Sequence, residues 1–319
     1  MARVGIVGTG KLGTRLAELL VVEQGIDILL LDNRSKLKLA GTIQSLELWK
    51  EFIQANCNID RINSKNISEL DLIIVAIKDA YDPRILIQES AYPDWLPADL
   101  RCVGITRDIH LLRDVAQFLR GYQGIVLVVT NPVDVVATLL QRWLPTARVL
   151  GAGISLDAAR MACVCARRLG GTWSDYPCAL AGEHGREVVP LVSLWKKLMP
   201  ESVVEQVIDN YAGFVAEALG LGIRIVEDLG YTLQDSAEVI RQDITWLLAM
   251  SETTGFRCFS TVVTDTLCTA WPLRFEAGQL VATVDCLAAD ERLAIEKSKK
   301  SIGEILGGIE RDYPDLIRP

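Results

Sequence analysis

The pattern Gly-x-Gly-x-x-Gly at Gly8, Gly10 and Gly13 constrains the fold of this chain more than any other feature. It lies between a short apolar segment, residues 3–8, and an amphipathic segment that runs to about Val22, where a strand is expected to pass into a helix. Gly8 permits the tight turn, Gly10 lets a pyrophosphate approach the backbone, and Gly13 allows close helix–strand packing. The free N–H groups at the helix start would bind that pyrophosphate. The sequence therefore predicts a dinucleotide-binding βαβ unit.

The second predicted strand, residues 27–31, ends at Asp32, nineteen residues after Gly13. A carboxylate in this position accepts hydrogen bonds from the adenine ribose and repels a 2′-phosphate, which favours NAD over NADP. Arg34 lies close enough in sequence to bind such a phosphate, so tolerance of NADP stays open. The residues of this segment expected to contact the cofactor are Gly8, Thr9, Gly10, Lys11, Leu12, Gly13 and Asp32.

The length of 319 residues exceeds one typical hydrophobic core, so two domains or one large α/β unit is expected. Strand and helix patterns alternate as far as about residue 150. Helical patterns then dominate, and residues 257–286 contain three short strands before a last helix over 288–306. We therefore predict an α/β protein with an N-terminal Rossmann doubly wound parallel sheet in residues 1–150 and a C-terminal α+β substrate domain in residues 151–319.

The composition argues against several classes of protein. Half of the residues are hydrophobic, but no apolar run reaches the roughly 18 residues of a membrane span, so burial in a parallel sheet and a subunit interface is expected. The net charge is −8 with interspersed signs, which leaves no clustered basic face for nucleic acid. The eight cysteines form no Cys-x-x-Cys pair, and the first residues predict a strand instead of a signal peptide. We expect a cytoplasmic homodimer or homotetramer without a metal site.

Two histidines are available for proton transfer near neutral pH. His184 lies between glycines after a short apolar segment, which predicts a strand that ends in a tight, exposed turn. Asp157 and Arg160 are three positions apart at a predicted helix start, so they share one face. A carboxylate that orients an imidazole, beside a guanidinium that holds an anion, would form an acid–base site. His110, among apolar residues of another predicted helix, is expected to be a structural or surface histidine.

Two further strands are expected to bring residues to the same edge of the sheet. One ends with Ala76 and Ile77. The other ends with Thr130 and Asn131, where open α/β sheets bind ligands. Asn131 precedes Pro132, and two interpretations of this pair stay open. A cis peptide would orient the amide toward the substrate and the nicotinamide, whereas a helix N-cap followed by proline would mark an ordinary helix start. Both can hold at once.

Two helices are predicted in the C-terminal half. The first runs from residue 155 to 168 and is expected to be capped by Ser155 and to bury Leu156. The second covers residues 203–229 as one long or broken helix, with residues 220–222 as the break because both ends of that tripeptide are glycine.

Four motifs follow one another along the chain: the glycine-rich start, Asn131-Pro-Val-Asp134, Leu-Asp157-x-x-Arg160 and Gly-Glu-His184-Gly. Together they resemble the L-lactate/malate dehydrogenase superfamily, which includes the L-2-hydroxyisocaproate dehydrogenases. The resemblance spans residues 4 to about 185 and implies NAD-dependent hydride transfer between NADH and a 2-keto acid.

The resemblance also implies a role for each matching residue. His184 would act as the acid–base group, and Asp157 would orient its ring. Arg160 would bind the substrate carboxylate through paired hydrogen bonds. Thr232, in Gly230-Tyr-Thr232, would line the substrate pocket. Ala76 and Ile77 would contact the cofactor, because the end of this strand faces the cofactor in the superfamily.

The chain departs from the superfamily in the segment 78–101, which is longer by roughly ten residues, a length typical of functional or disordered loops. Members of the superfamily carry a catalytic arginine in this mobile lid. Arg84 and Arg101 are both candidates here as substrate-binding residues. The sequence does not decide between them, and the alternative that both are solvated loop arginines stays open. Arg186, which follows His184 closely, also changes the expected pocket wall.

The choice of substrate depends on this lid. Tyr92 and Trp95 indicate an apolar cover, and hence a 2-keto acid larger than pyruvate. If Arg84 or Arg101 instead faces the far end of the substrate, a dicarboxylate and malate dehydrogenase-type activity would fit. The sequence is also compatible with a non-catalytic NAD-binding relative and with an enzyme that acts on an imine.

Overall fold

The chain forms an α/β fold on one mixed sheet in a computed structural model that describes residues 1–32, 36–185, 187–249 and 255–317. The strands are β1 (Ala2–Val7), β2 (Ile26–Leu31), β3 (Ile59–Arg61), β4 (Leu72–Val75), β5 (Ile125–Val128), β6 (Arg148–Gly151), β7 (Leu180–Gly182), β8 (Val188–Pro190), β9 (Arg257–Val262), β10 (Cys268–Glu276) and β11 (Gln279–Ala282). The helices are α1 (Lys11–Val21), α2 (Lys36–Ile53), α3 (Pro83–Gln88), α4 (Ile105–Phe118), α5 (Val133–Trp143), α6 (Ile154–Leu169), α7 (Val192–Leu198), α8 (Glu201–Asp209), α9 (Tyr211–Leu229), α10 (Gln234–Leu248), α11 (Ala289–Asp312) and α12 (Pro314–Ile317).

The first six strands pair in parallel in the order β3-β2-β1-β4-β5-β6, with the strand order reversing between β1 and β4. This is the doubly wound order that creates a ligand crevice at the reversal. The antiparallel strands of the C-terminal half join the same sheet where Gly151 of β6 pairs with Ser260 of β9. The predicted fold class is confirmed. The division at residue 151 stays a prediction, because the sheet is continuous across it.

The parallel strands are apolar on both faces because helices cover both sides of the sheet. Alternate residues of one strand therefore enter different cores. Ile6 and Ile74 pack in one cluster with Leu16 of α1, whereas Val75 packs in the other cluster with Leu112 of α4. Continuous apolar strands of this kind hold their carboxyl ends, and the residues that follow them, in fixed positions.

The predicted break at residues 220–222 is wrong. The interruption lies at Asn210, between α8 and α9, and Gly222 is within a continuous helix. A Cβ on Gly222 would lie 2.2 Å from Nη1 of Arg160, so this glycine leaves room for a neighbouring side chain instead of ending the helix.

The predicted cap of the helix after β6 is also wrong. The helix α6 begins at Ile154 after Gly153, and Ser155 donates a hydrogen bond of 2.6 Å to Asp243 instead of capping. Leu156, predicted to be buried, is half-buried and lines a cavity. The short elements β3, β8 and α7 have no clear sequence signal and were not predicted.

Among the described helices, none combines the length and the apolar sequence that crossing a membrane requires.

Candidate active site

A cavity of about 760 Å³ opens at the carboxyl ends of β1, β4 and β5. Helices α9 and α10 of the C-terminal half close its other side. The structure brings into its wall ten of the residues predicted to contact the cofactor: Gly8, Thr9, Gly10, Lys11, Leu12, Asp32, Ala76, Ile77, Thr130 and Asn131. Gly13 does not line the cavity, because it lies beneath the turn.

The glycine-rich turn has the geometry that its sequence predicts. Gly8 has a φ of +105°, which L side chains rarely adopt. A Cβ on Gly13 would lie 1.9 Å from the carbonyl oxygen of Gly8, so this position requires the close approach that only glycine allows. A Cβ on Gly10 would meet nothing within 4 Å, so the space in front of the helix start is open to a ligand.

Asp32 stands at the adenosine end of the expected cofactor path. Its Oδ2 accepts a hydrogen bond of 2.5 Å from the hydroxyl of Thr9, which ties the end of β2 to the glycine-rich turn. Lys38, for which no role was predicted, lines the same part of the cavity. Arg34, on which the question of NADP depends, lies outside the described residues.

His184 follows β7 and lies in the cavity wall, with Nδ1 at 2.7 Å from Oδ2 of Asp157. Its side chain is 7% exposed, so the turn is buried instead of exposed as predicted. The ring packs directly on Gly153, where a Cβ would lie 2.5 Å from the imidazole Cγ. Asp157, in the first turn of α6, is 2% exposed and therefore meets the ring in a nearly dry environment.

The two members of this pair change each other's protonation. Burial disfavours the imidazolium, but the charge and hydrogen bond of Asp157 outweigh burial and hold the pKa of His184 above its usual value. Burial also opposes ionisation of Asp157, yet His184 and two nearby arginines bring its pKa below the ordinary range. The pair therefore favours an ionised carboxylate beside a protonated imidazole, which is the state required of a general acid.

Asp134, the fourth residue of the Asn-Pro-Val-Asp motif, holds this histidine by its backbone. Oδ2 of Asp134 accepts a 2.7 Å hydrogen bond from the His184 N–H, and Oδ1 accepts one from the hydroxyl of Ser260. Burial raises the pKa of Asp134 to about 6. Its place in the motif was the available signal, but no role was predicted for it.

The Asn131–Pro132 peptide is cis. Helix α5 begins at Val133 with Pro132 as its N-cap residue, so the alternative in which Asn131 caps the helix is wrong. Asn131 lies instead on the cavity wall, one residue beyond Thr130. Thr130 is buried, accepts a hydrogen bond from the Ile77 N–H at 2.9 Å, and so ties the ends of β4 and β5 together.

The two lid arginines occupy different places in the cavity wall. The guanidinium of Arg101 packs on Gly185, where a Cβ would lie 2.5 Å from Nη1, and it is paired with Asp99 at 3.0 Å. Arg84 is paired with Asp82 at 2.6 Å and donates to backbone carbonyl oxygens at the end of α9. Arg101 is therefore the one beside the histidine turn.

Arg160 does not line the cavity. Its Nη2 and Nε donate to Oδ2 of Asp235 at 2.7 and 3.2 Å, and its Nη1 lies 3.9 Å from Oδ1 of Asp157. Thr232 does line the cavity and accepts a hydrogen bond of 2.7 Å from Ser236. His184, Asp157 and Arg160 thus lie close together as predicted, but Arg160 is hydrogen-bonded to Asp235, for which no role was predicted.

Tyr92 and Trp95 do not line the cavity, so the prediction that they form its aromatic cover is wrong. Both pack against the apolar cluster of α4 and α11, and Nε1 of Trp95 donates to Asp312 at 2.6 Å. The lid segment instead covers the cavity through residues 78–84, which lead into the short helix α3. Large aromatic rings pack against apolar helix faces, and the position of a ring in the sequence does not reveal which helix face it will contact.

A second group of polar side chains, Lys78, Tyr81 and Asp108, also lines the cavity. Asp108 of α4 accepts hydrogen bonds from the Tyr81 hydroxyl and the Asp79 N–H, at 2.7 and 2.6 Å, and burial raises its pKa to about 6. Lys78 lies 4.5 Å from the centre of the Tyr81 ring. A lysine directly after a buried strand was the sequence signal for this group, which was not predicted.

His110 is exposed, does not line the cavity, and contacts Tyr313 edge to face at 6.1 Å. Its exposed position agrees with the surface alternative in the prediction for this histidine. Arg186, expected to change the pocket wall, lies outside the described residues.

Comparison with known proteins gives lactate and malate dehydrogenases among the relatives of this chain. No family model matches the chain. L-lactate dehydrogenase 2 of Lactiplantibacillus plantarum is 27% identical over 246 residues, which cover 75% of this chain and 75% of the relative. A lactate dehydrogenase from a Medee basin deep-sea metagenome library has a TM-score of 0.79 at 17% identity, covering 97% of this chain and 99% of that one.

The malate dehydrogenase of Aeropyrum pernix shares the fold at a TM-score of 0.76 and 20% identity, covering 98% of this chain and 99% of that one. The fold alone would not assign a family at this identity. The sequence relatives and the ordered motifs agree with it, however, and together they support a place for the chain in the L-lactate/malate dehydrogenase superfamily.

Proposed function

We propose that the protein is an NAD-dependent L-2-hydroxyacid dehydrogenase, an oxidoreductase that acts on the CH–OH group of a small acid. The observation that carries this proposal is the His184–Asp157 hydrogen bond of 2.7 Å in the wall of the same cavity as the glycine-rich turn. An acid–base pair and a dinucleotide-binding turn in one crevice are what hydride transfer to a carbonyl needs.

The residues present fit a nicotinamide dinucleotide. The open space at Gly10 admits a pyrophosphate at the N-terminus of α1, and Lys11 lies beside it in the wall. Asp32 would accept hydrogen bonds from the adenine ribose. Asn131 and Thr130 would lie at the nicotinamide end, since they follow β5, which is separated from β1 by β4 in the sheet. When bound, NADH supplies the hydride that reduces C2 of the substrate.

The protein's own part in the reaction is proton transfer. Nδ1 of His184 is engaged by Asp157, so Nε2 is the nitrogen that gives a proton to the substrate oxygen as C2 accepts the hydride. The products are a 2-hydroxy acid and a neutral imidazole, which regains its proton from water. Oxidation runs the same steps in reverse, with Nε2 taking the hydroxyl proton.

Arg101 is the better candidate for the lid arginine. Its guanidinium lies against Gly185, next to the histidine, and would polarise the substrate carbonyl. Arg84 is held at the carboxyl end of α9 by two backbone carbonyls and would anchor the lid there. Arg160 would bind the substrate carboxylate, as the superfamily resemblance implies.

The cavity favours a 2-keto acid with an apolar side chain larger than that of pyruvate. Val226 and Leu229 of α9, with Leu156, form an apolar wall that replaces the aromatic cover expected from the lid. Among the described residues, both arginines in the cavity wall are already paired with an aspartate two positions earlier. A second carboxylate on the substrate would therefore have to compete with an aspartate at either arginine, which counts against a dicarboxylate.

Steady-state oxidation of NADH with pyruvate, oxaloacetate, 2-ketoisocaproate and phenylpyruvate tests this assignment. We expect kcat/KM for 2-ketoisocaproate to exceed that for oxaloacetate by about tenfold or more, since a buried unpaired carboxylate is costly. Preference for oxaloacetate would establish malate dehydrogenase-type activity instead. NADH binding without turnover of any of the four acids would support a non-catalytic relative.

Replacing Asp32 by alanine tests the cofactor assignment. We expect the affinity for NADH to fall by about tenfold or more, because hydrogen bonds to a charged group contribute about 1.5–3 kcal/mol. The affinity for NADPH should rise relative to NADH, since the repulsion of a 2′-phosphate is removed. Fluorescence titration of both cofactors measures this, with Asp60→Ala in β3, an exposed aspartate outside the cavity, as the control. An unchanged ratio would contradict the assignment.

A further inference from the structure

Asp235 is hydrogen-bonded to Arg160, the residue to which the proposed function assigns binding of the substrate carboxylate. Its Oδ2 accepts hydrogen bonds from both Nη2 and Nε of Arg160. Two donors of the guanidinium thus converge on one carboxylate oxygen, so Asp235 occupies the donors that a carboxylate ligand bound through two parallel hydrogen bonds would need. The side chain of Arg160 is 12% exposed, so water compensates little for the loss of this partner.

The charges around Arg160 are already balanced without a substrate. Asp235 of α10 contacts one side of the guanidinium, and Asp157 lies 3.9 Å from Nη1 on the other. Gly222 of α9 closes the remaining side without contributing a charge. Because Asp157 is also engaged by His184, Asp235 is the carboxylate with which a substrate carboxylate would compete for this arginine, and that competition weakens substrate binding.

We propose that Asp235 is a specificity-determining residue that holds Arg160 in the free enzyme and that a substrate carboxylate must displace. This inference rests on the proposed function, because it takes Arg160 to be the carboxylate-binding residue. Asp235 acts through Arg160 and is therefore a positioning residue in the strict sense. Its presence selects acids whose remaining contacts with the cavity compensate for the exchange of partners.

The surroundings of Asp235 permit that exchange. Its side chain is 34% exposed, so the carboxylate can be hydrated after release. It also lies in the first turn of α10, where the positive end of the helix dipole continues to favour a negative charge. Thr232 and Ser236 of the same segment line the cavity, which places the pair directly behind the wall where the substrate would bind.

Small acids should be affected most. Pyruvate brings little apolar surface to the wall of α9, whereas 2-ketoisocaproate adds branched methyl groups that gain free energy on burial. Because of Asp235, the choice of substrate would depend more on the apolar side chain of the 2-keto acid. The enzyme would therefore discriminate against acids that bind mainly through their carboxylate.

The substitution Asp235→Asn tests this inference, because asparagine keeps the size and the hydrogen-bonding capacity but removes the competing charge. We expect KM for pyruvate to fall by about tenfold and the inhibition constant of oxamate, a carboxylate-bearing pyruvate analogue, to fall by a similar factor. The effect should lie in KM more than in kcat. The change in KM for 2-ketoisocaproate should be smaller than that for pyruvate.

Asp290→Asn is the matched control, since Asp290 is an exposed aspartate in the first turn of α11 and does not line the cavity. It should leave every constant unchanged. A higher KM and weaker oxamate binding in Asp235→Asn would mean that Asp235 orients Arg160 for substrate, and equal constants would mean that it does not act on binding. Either result would overturn the inference while leaving the dehydrogenase assignment intact. Absence of turnover in wild type and variant alike would overturn the proposed function and this inference with it.

Discussion

Replacing His184 by glutamine should lower kcat for 2-keto acid reduction by about 10²–10⁴-fold, the usual contribution of a general acid. The loss follows from the removal of Nε2 as the proton donor to the substrate oxygen. Glutamine retains an N–H that can reach Asp157, so the buried carboxylate keeps a hydrogen-bond partner. The rate is measured by NADH absorbance under saturating substrate, and NADH affinity by fluorescence titration in the same preparation.

The other histidine provides the control for this experiment. His110→Gln removes the exposed imidazole on α4, outside the cavity wall, and should keep kcat within about twofold of wild type, as surface substitutions generally do. NADH affinity should be unaffected in both variants, because the glycine-rich turn and Asp32 remain. Retention of full kcat in His184→Gln would assign proton transfer to another group, and loss of NADH binding would point to misfolding instead.

Replacing Asp157 by asparagine should lower kcat by about 10²-fold, at the lower end of general acid–base effects, and should also move the pH profile. Reduction requires the imidazolium, so its rate falls as pH rises through the pKa of His184. Burial lowers that pKa, and Asp157 raises it above the usual value, so removal of the carboxylate charge leaves burial dominant. The upper pH limit of reduction should therefore move to lower pH in the variant.

The reverse reaction checks the sign of this shift. Oxidation of a 2-hydroxy acid needs a neutral imidazole at His184, so its rate rises with pH, and in Asp157→Asn the rise should begin at lower pH. The measurement is kcat against pH in both directions, with circular dichroism to show that the variant is folded. If the pH dependence of kcat is unchanged in both directions, Asp157 does not affect the pKa of His184, and the proposed pair is contradicted.

The fold was predictable because its signals are local. The apolar strands alternate with amphipathic helices, and the glycine-rich turn at Gly8 and Gly13 requires a backbone conformation and a close approach that other residues do not permit. The hydrogen bond between His184 and Asp157 was also anticipated, although they are 27 positions apart. Its signal was the combination of an isolated histidine, a helix start with an acid, and the order of the motifs.

The sequence by itself thus determined the doubly wound sheet, the glycine-rich turn and the pairing of His184 with Asp157. Only the tertiary structure decided the partners of the charged residues: Arg160 with Asp235, Arg101 with the turn after His184, and Trp95 with α11 instead of the cavity. The physical reason is one of range. Backbone conformation and apolar periodicity depend on neighbours a few positions away, whereas a long side chain contacts whatever the packing of distant helices places within its reach.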